Sequence, residues 1–429
     1  MSKFIFRSTD RHFSEHNEVD VSKHFTKIPE NTIVPPQDII FKGNPDCKCV
    51  EFKSDNKLYT SYFIGVDWII EKEKAIYVEP KLNDESKQTD YLKMLFSALK
   101  HQEVKGHTED LYEIKFGISE IEITQKQDLL TPLLVVQFLS LLKEIVRKGL
   151  KQSYYKVERN FYSKIKGKVL VGQTIKHNAL KNKPLNTFCS YDEFGRNGLE
   201  NRLLKKALMF VQRYLPSIKN LKAEKYTVEV FNYIIPAFEG VSADIEVNEI
   251  KHTNKNTFYK EYSEAIRLAK LILKRFGYNI NTTRQSTIKT PPFWIDMSKL
   301  FELYVLGLLK DKFSGKILYG DDDAKANYGL PDFLLIEDGK KMIIDTKYKQ
   351  YYKSNNIDFK ISDIRQLSGY ARDKGVIKAL KMNEKDIVDC LIIYPDQSLE
   401  YLTLNMNSRQ SIREFVQFYQ LAVKLPELT

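Results

Sequence analysis

Between Gly329 and Lys349 the chain reads Gly-Leu-Pro-Asp-Phe-Leu-Leu-Ile-Glu-Asp-Gly-Lys-Lys-Met-Ile-Ile-Asp-Thr-Lys-Tyr-Lys. Two apolar runs, Phe333–Ile336 and Met342–Ile344, flank Asp338-Gly339. Asp-Gly between apolar runs is a strong hairpin signal, because both central residues of a type I′ turn take φ > 0. If those two residues form the turn, Glu337 faces Lys340, and counting back makes Asp332 the direct partner of Asp345. Direct partners project to one face of a sheet, and Lys347, two residues after Asp345, shares that face. Like charges placed opposite one another destabilise a sheet unless a cation reverses the sign. The segment therefore predicts a cation site with a lysine beside it. Surface hairpins also carry Asp and Lys for solubility. Against that, Ile-Ile-Asp-Thr-Lys sets charge at the end of a strongly apolar strand, where it is costly unless paired or bound to metal.

The rest of the 429 residues allows two or three domains with ample core. A net charge of +11 favours a polyanionic partner. The excess is concentrated: Lys143 to Lys183 holds twelve Lys or Arg against Glu144 and Glu158, interleaved with Tyr154, Tyr155, Phe161 and Tyr162. That mixture suits a nucleic-acid surface, although it also describes a solvated lysine-rich face. Cys47, Cys49, Cys189 and Cys390 give neither a disulfide framework nor a second ligand pair for zinc. Reduced thiols, the lack of a signal-peptide core and the lack of a membrane-spanning run lead to the expectation of a cytoplasmic protein with no membrane partner.

Along the chain, residues 1–125 read as a mainly β domain, 126–290 as an α-rich basic middle region, and 291–429 as a separate domain, with a boundary at Thr290-Pro291-Pro292. Tyr226–Ile235 reads as a strand. After residue 293 the expected order is helix, three strands, helix, two strands, helix. The first helix is capped by Ser298, a strand covers Ile387–Ile393, another strand follows at Leu399–Leu404, and a final amphipathic helix covers Ser411–Val423. The fold class that follows is mixed α/β: a sheet with helices on both faces, preceded by an α+β N-terminal region.

In that setting Pro331-Asp332 with Asp345-Thr346-Lys347 resembles the PD-(D/E)xK nuclease core. The resemblance implies that Asp332 and Asp345 bind Mg²⁺, with Mn²⁺ as a possible substitute and the Thr346 carbonyl as a third ligand. It implies that Lys347 orients or activates the attacking water. Glu302, on the preceding helix, matches an acidic residue that many members place near the metal. Gln366 and Tyr370, at i and i+4 on one helix face, match a Gln-x-x-x-Tyr element of some branches.

Phe293-Trp294-Ile295-Asp296-Met297-Ser298-Lys299-Leu300-Phe301-Glu302 looks like the entry helix of the McrC family, the nuclease subunit of McrBC-type restriction systems, which include the LlaJI-like branch. Gly65-Val66, Val78-Glu79-Pro80-Lys81, Lys166-Gly167-Lys168-Val169, Glu200-Asn201-Arg202-Leu203-Leu204-Lys205 and Asp345-Thr346-Lys347-Tyr348-Lys349 extend the likeness over nearly all of the chain after about residue 55. The family commonly has Arg-Gly-Arg where this chain has Lys166-Gly167-Lys168. The resemblance implies a type IV-like, Mg²⁺-dependent endonuclease of double-stranded DNA that docks on a McrB-like AAA+ GTPase and stimulates it. The sequence contains no Gly-x-x-x-x-Gly-Lys-Ser/Thr loop, so the chain itself is not expected to bind or hydrolyse NTP. Two other readings stay open: a nuclease acting alone, and a non-catalytic activator of the motor.

Overall fold

In a computed structural model of the chain, the hairpin adopts the register its sequence dictates. Phe333–Glu337 and Lys340–Thr346 pair antiparallel, from Phe333 opposite Ile344 to Glu337 opposite Lys340. Gly339 takes φ 78°, as the tight turn requires. The structure describes residues 37–52, 57–82, 88–99, 110–124, 128–214, 225–250, 260–277, 287–320, 329–337, 339–349, 361–400 and 404–427, the strands Ser2–Arg7 and Val19–Asp20, and positions 101, 104, 107 and 108. Asp338, the other expected turn residue, lies outside them.

The hairpin belongs to a six-stranded mixed sheet. Its order is Ile317–Tyr319, the two hairpin strands, Asp389–Pro395, Phe418–Val423 and Gln410–Ser411. The second hairpin strand runs parallel to Asp389–Pro395, which runs parallel to Phe418–Val423. Leu334 and Ile343 bury one face of the hairpin against Val376, Ile377 and Leu380, where the short helix Lys374–Ala379 packs. Cys390, Ile392 and Tyr394 bury Ile364 and Leu367 of the helix Ile361–Tyr370. Tyr319 and Phe333, direct partners across the sheet, set their rings 5.7 Å apart at a 56° tilt. Phe301, on the helix Met297–Phe313, meets Tyr348 at the same ring distance.

Three expectations are corrected. The helix Met297–Phe313 is capped by Asp296, whose carboxylate accepts from the Lys299 amide at 2.9 Å, rather than by Ser298. The final segment is not a helix. Gln410–Ser411 and Phe418–Val423 are strands joined through a turn with Gln417 at φ 56°, and Ile412, Phe415 and Phe418 reach the core from strand and turn positions. Tyr226–Ile235 is not a strand. Lys225–Ile234 is helical, with Val230, Ile234 and then Phe238 buried while Val228, Tyr233 and Ile235 are exposed, a four-residue recurrence that β-branched composition disguised. The strand expected at Leu399–Leu404 falls partly on residues 401–403, outside those described, and its other positions are not in a strand.

The chain divides into two compact units: Met1–Leu130 together with Ser286–Thr429, and Thr131–Gln285. The prolines at 291 and 292 do not part the N-terminal strands from the C-terminal sheet. Phe293–Asp296, fully apolar up to its last residue, inserts between Phe63–Ile70 and Tyr112–Ile114 in the order Ser2–Arg7, Lys74–Glu79, Phe63–Ile70, Phe293–Asp296, Tyr112–Ile114. Its buried Trp294 donates from Nε1 to buried Asp67 at 2.8 Å, and Lys115 pairs with the same carboxylate oxygen at 2.7 Å.

In the other unit, the basic stretch runs from the end of the helix Leu130–Lys148 through the strand Ser153–Tyr162, which pairs antiparallel with Asn186–Gly195, to the short helix Val171–His177 and beyond. On the strand Ser153–Tyr162, Lys156 and Arg159 are exposed, as are Tyr154 and Tyr162, and Lys164, Lys166 and Lys168 are exposed just after it. The helix Leu199–Tyr214 carries Asn201, which donates to the Lys151 and Arg196 carbonyls and accepts from the Tyr262 hydroxyl. The four cysteines are free. Among the described residues no helix is long and apolar enough to cross a membrane.

Candidate active site at the hairpin end

The hairpin and its two flanking helices bring the sequence-predicted residues together. Asp332 sits just before the first strand, where a tight backbone contact fixes it. The Gly320 amide donates to the Asp332 carbonyl at 3.0 Å, and a Cβ on Gly320 would stand 1.8 Å from the Pro331 carbonyl oxygen. Only glycine permits that approach. One oxygen of the Asp332 carboxylate accepts from both the amide and the hydroxyl of Thr346, at 2.6 and 2.5 Å. Thr346 thus holds Asp332 through groups other than the carbonyl singled out from the sequence.

Asp345 is buried, and Lys347 Nζ lies 2.6 Å from its Oδ2. That approach is an ion pair without an aligned hydrogen bond, so the buried Oδ2 lacks a directional donor. Burial first, and then the charge of Asp332, push the Asp345 carboxyl up to about 7. Burial works against the Lys347 ammonium, but the charges of Asp345 and Asp332 outweigh it and hold its pKa above the usual lysine value. The lysine is therefore a fixed cation at neutral pH. From it a chain of contacts runs outward. Lys347 Nζ donates to Gln366 Oε1 at 3.0 Å, and Gln366 Nε2 donates to the Tyr370 hydroxyl at 2.9 Å.

Glu302 joins from the helix Met297–Phe313. It accepts a short hydrogen bond from the Tyr319 hydroxyl, and Lys299 Nζ lies 3.1 Å from its Oε1. Burial, then the charge of Asp332, push its carboxyl up to about 7 as well. That Asp332 bears on both Glu302 and Asp345 places the three acids in one electrostatic neighbourhood.

Sequence reasoning missed Lys299, Tyr319, Lys81 and Asp363. Lys81 donates to the Tyr348 carbonyl, one residue beyond Lys347, and its ammonium lies 4.2 Å from the Tyr348 ring centroid. Asp363 receives Lys349 Nζ on both oxygens, at 2.8 and 2.9 Å, and both side chains are largely buried. The period-two alternation of Asp345, Lys347 and Lys349 was a usable signal for that pair; Tyr319 carried none.

Among the described residues no group of three or more His, Cys, Asp or Glu side chains is gathered in a metal-ligand arrangement. The donor set still fits a hard divalent cation. Asp332 and Asp345 bear on one another electrostatically, and one buried oxygen, Asp345 Oδ2, has no hydrogen-bond donor aligned on it. Mg²⁺ typically takes one or two carboxylates and fills its remaining positions with water and substrate phosphate.

A family model described as "McrBC 5-methylcytosine restriction system component" matches residues 63–395, well over half of the chain. The chain belongs to that family. Two solved assemblies from Thermococcus gammatolerans are similar to this McrBC-family chain at low sequence identity. One, a refined half-complex from a tetradecameric assembly of McrB AAA+ hexamers with bound McrC, is 15% identical, covers 99% of this chain and 94% of its own, and has a TM-score of 0.40. The other, the McrBC complex seen by cryo-electron microscopy, is 16% identical, covers 72% of this chain and 87% of its own, and has a TM-score of 0.29. No curated protein matches the chain. Within the span matched by the family model, Gly65 pairs with Trp294, Lys81 holds the backbone beside Lys347, and Asp332, Asp345 and Lys347 stand at the hairpin end.

Proposed function

We propose that this McrBC component is the nuclease subunit of its system, a Mg²⁺-dependent endonuclease of the PD-(D/E)xK type that hydrolyses phosphodiester bonds in double-stranded DNA. The observation that carries the reading is the row Asp345, Lys347, Gln366, Tyr370, linked at 2.6, 3.0 and 2.9 Å, with Asp332 held alongside by Thr346. Asp332 and Asp345 would hold the metal, with Glu302 and the Thr346 carbonyl as further oxygen donors. When bound, Mg²⁺ supplies Lewis-acid polarisation of the scissile phosphate and a water of lowered pKa. Lys347, kept cationic by its neighbours, offsets charge that builds on the phosphate and orients the attacking water. Gln366 fixes the lysine's second contact, and Tyr370 fixes the Gln366 amide. Lys81 and Asp363 hold the two residues that follow Lys347, Tyr348 by its carbonyl and Lys349 by its ammonium.

Membership in a multi-component system, together with the absence of a phosphate-binding loop in the sequence, supports a division of labour. A McrB-like AAA+ GTPase would supply translocation and target choice, and this chain would dock on it, stimulate it and cut. The exposed basic and aromatic ribbon of the second unit favours a second reading, a nuclease that grips DNA and cuts alone. Plasmid cleavage by the purified chain with Mg²⁺, with and without the partner and GTP, separates the two. Restriction of incoming DNA in cells carrying Asp345→Ala tests the nuclease assignment itself: unchanged restriction would leave only a non-catalytic activator.

A further inference from the structure

An open groove of about 860 Å³ lies against the outer end of the Lys347–Gln366–Tyr370 row. Gln366 and Tyr370 form its inner wall, and Arg365, Gly369, Arg372 and Lys374 line the rest. Arg365 and Gly369 stand at i and i+4 on the helix Ile361–Tyr370, beside the stripe that carries Gln366 and Tyr370, and Arg372 follows in the turn that ends the helix. All three are exposed. Among the described residues, neither arginine has an ion-pair partner. The acid in the groove, Asp373, is turned to backbone work: its Oδ1 accepts from the amides of Gly375 and Val376 at 2.7 and 3.3 Å. Lys374 is matched at 3.1 Å by Glu384 across open solvent, a pair of little energetic consequence.

Gly369 sharpens the reading. Glycine within a helix costs about 1 kcal/mol relative to alanine. Among the described residues a Cβ at this position would meet nothing within 4 Å, so none of their packing demands its absence. Bare backbone between two guanidinium groups suits a ligand that comes close to the helix. Arginine's planar fork matches phosphate oxygens in pairs.

We infer that this groove receives the DNA backbone flanking the scissile bond, with Arg365 and Arg372 binding phosphates on the strand whose cleaved phosphate lies at Lys347. The inference rests on the nuclease reading above and adds to it how the strand is positioned. Arg365 and Arg372 are positioning residues: they set where the strand lies and leave the chemistry to the hairpin.

The test is binding of a short labelled DNA duplex to the full chain by fluorescence anisotropy, with Ca²⁺ in place of Mg²⁺ and across a range of salt concentrations. Each lost phosphate contact lowers the slope of log K against log salt by about 0.9. Replacing both arginines (Arg365→Gln with Arg372→Gln) is expected to lower the slope by about two and weaken binding about tenfold at moderate salt. The charge-matched control Lys340→Gln with Arg413→Gln is expected to leave both near wild type. Gly369→Leu, for which the groove has room in the free protein, is expected to weaken binding while the slope stays within one unit of wild type. The groove assignment is overturned if the wild-type chain has no measurable duplex affinity, if the double arginine variant keeps the wild-type slope, or if the control falls as far as that variant. Asp345→Asn keeps the two readings apart. Wild-type binding with cleavage lost supports both. Cleavage that persists in Asp345→Asn refutes the nuclease assignment of that residue, and the strand-positioning role then falls with it, even where the slope change shows that the arginines contact DNA.

Discussion

Thr346 donates its backbone amide and its hydroxyl to the same oxygen of Asp332, at 2.6 and 2.5 Å. The two donors come from one residue on the neighbouring strand, so they fix the rotamer of Asp332 as well as its position. Removing the hydroxyl leaves the amide contact and frees the carboxylate to rotate. Thr346→Val, nearly isosteric, is expected to lower the cleavage rate about tenfold, a loss of roughly 1.4 kcal/mol of positioning. Single-turnover cleavage at saturating Mg²⁺ measures it, and a rate equal to wild type would show that the amide alone suffices. Duplex affinity should be unchanged.

Gly320 stands under the Pro331 carbonyl with no room for a methyl group. Gly320→Ala must push the Pro331-Asp332 backbone away, and overpacking of this kind costs about 1–3 kcal/mol. A lower melting temperature and a lower cleavage rate are expected together, because the displaced segment carries Asp332. An alanine variant that melts with the wild type would contradict the contact.

The contrast between the hairpin and the segments that misled is physical. The hairpin was legible because its information is local: an Asp-Gly turn fixes register, and register carries Asp332 and Asp345 to the same end of the hairpin. The segment from Ser411 to Val423 shows Ile412, Phe415 and Phe418 at helical spacing, yet Phe418–Val423 gains a parallel partner in Asp389–Pro395 that no local pattern announces. Phe293–Asp296 likewise enters a sheet with strands that precede it by more than 170 residues. Asp296 took the capping role from Ser298 because that strand ends where the helix begins. Of the site, the charged residues of the hairpin were readable. Tyr319 and Lys81 arrive through tertiary packing and left no periodic trace, and for the Asp363 pair only Lys349 showed in the alternation.

The raised pKa of Asp345 has a consequence for stability. The ordinary carboxylate value is 3.8, and the folded value is about 7. A raised folded pKa means that the folded chain binds this proton more tightly than the unfolded chain does. The stabilisation is therefore fully present below about 4 and is lost as pH rises through about 7. Glu302 acts in the same direction. In metal-free buffer the melting temperature should fall as pH rises from about 5 to 8. Asp345→Asn should flatten that fall, and Asp345→Asn with Glu302→Gln should flatten it further. Thermal melts at a series of pH values with chelator present check this; a double variant with the wild-type slope would mean that other groups govern it.

Lys347 lies between Asp345 Oδ2 at 2.6 Å and Gln366 Oε1 at 3.0 Å, with its pKa held above the usual lysine value by the two aspartates. A lysine so held cannot accept a proton at neutral pH, so its part in hydrolysis is that of a charge and a donor. Lys347→Met is expected to lower cleavage by about two to three orders of magnitude, the usual cost of removing one such donor. Lys347→Arg keeps the charge with a different fork and should recover part of the rate. Neither variant should lose much affinity for DNA, because the backbone contacts lie elsewhere. The pH profile decides between donor and base. If the ammonium acts as drawn here, the wild-type rate has no ascending limb from lysine deprotonation between about pH 7 and 9, and the Lys347→Arg profile is parallel to it. A wild-type limb that vanishes in Lys347→Arg would instead make the lysine a general base, and the raised pKa inferred from Asp345 and Asp332 would then be wrong.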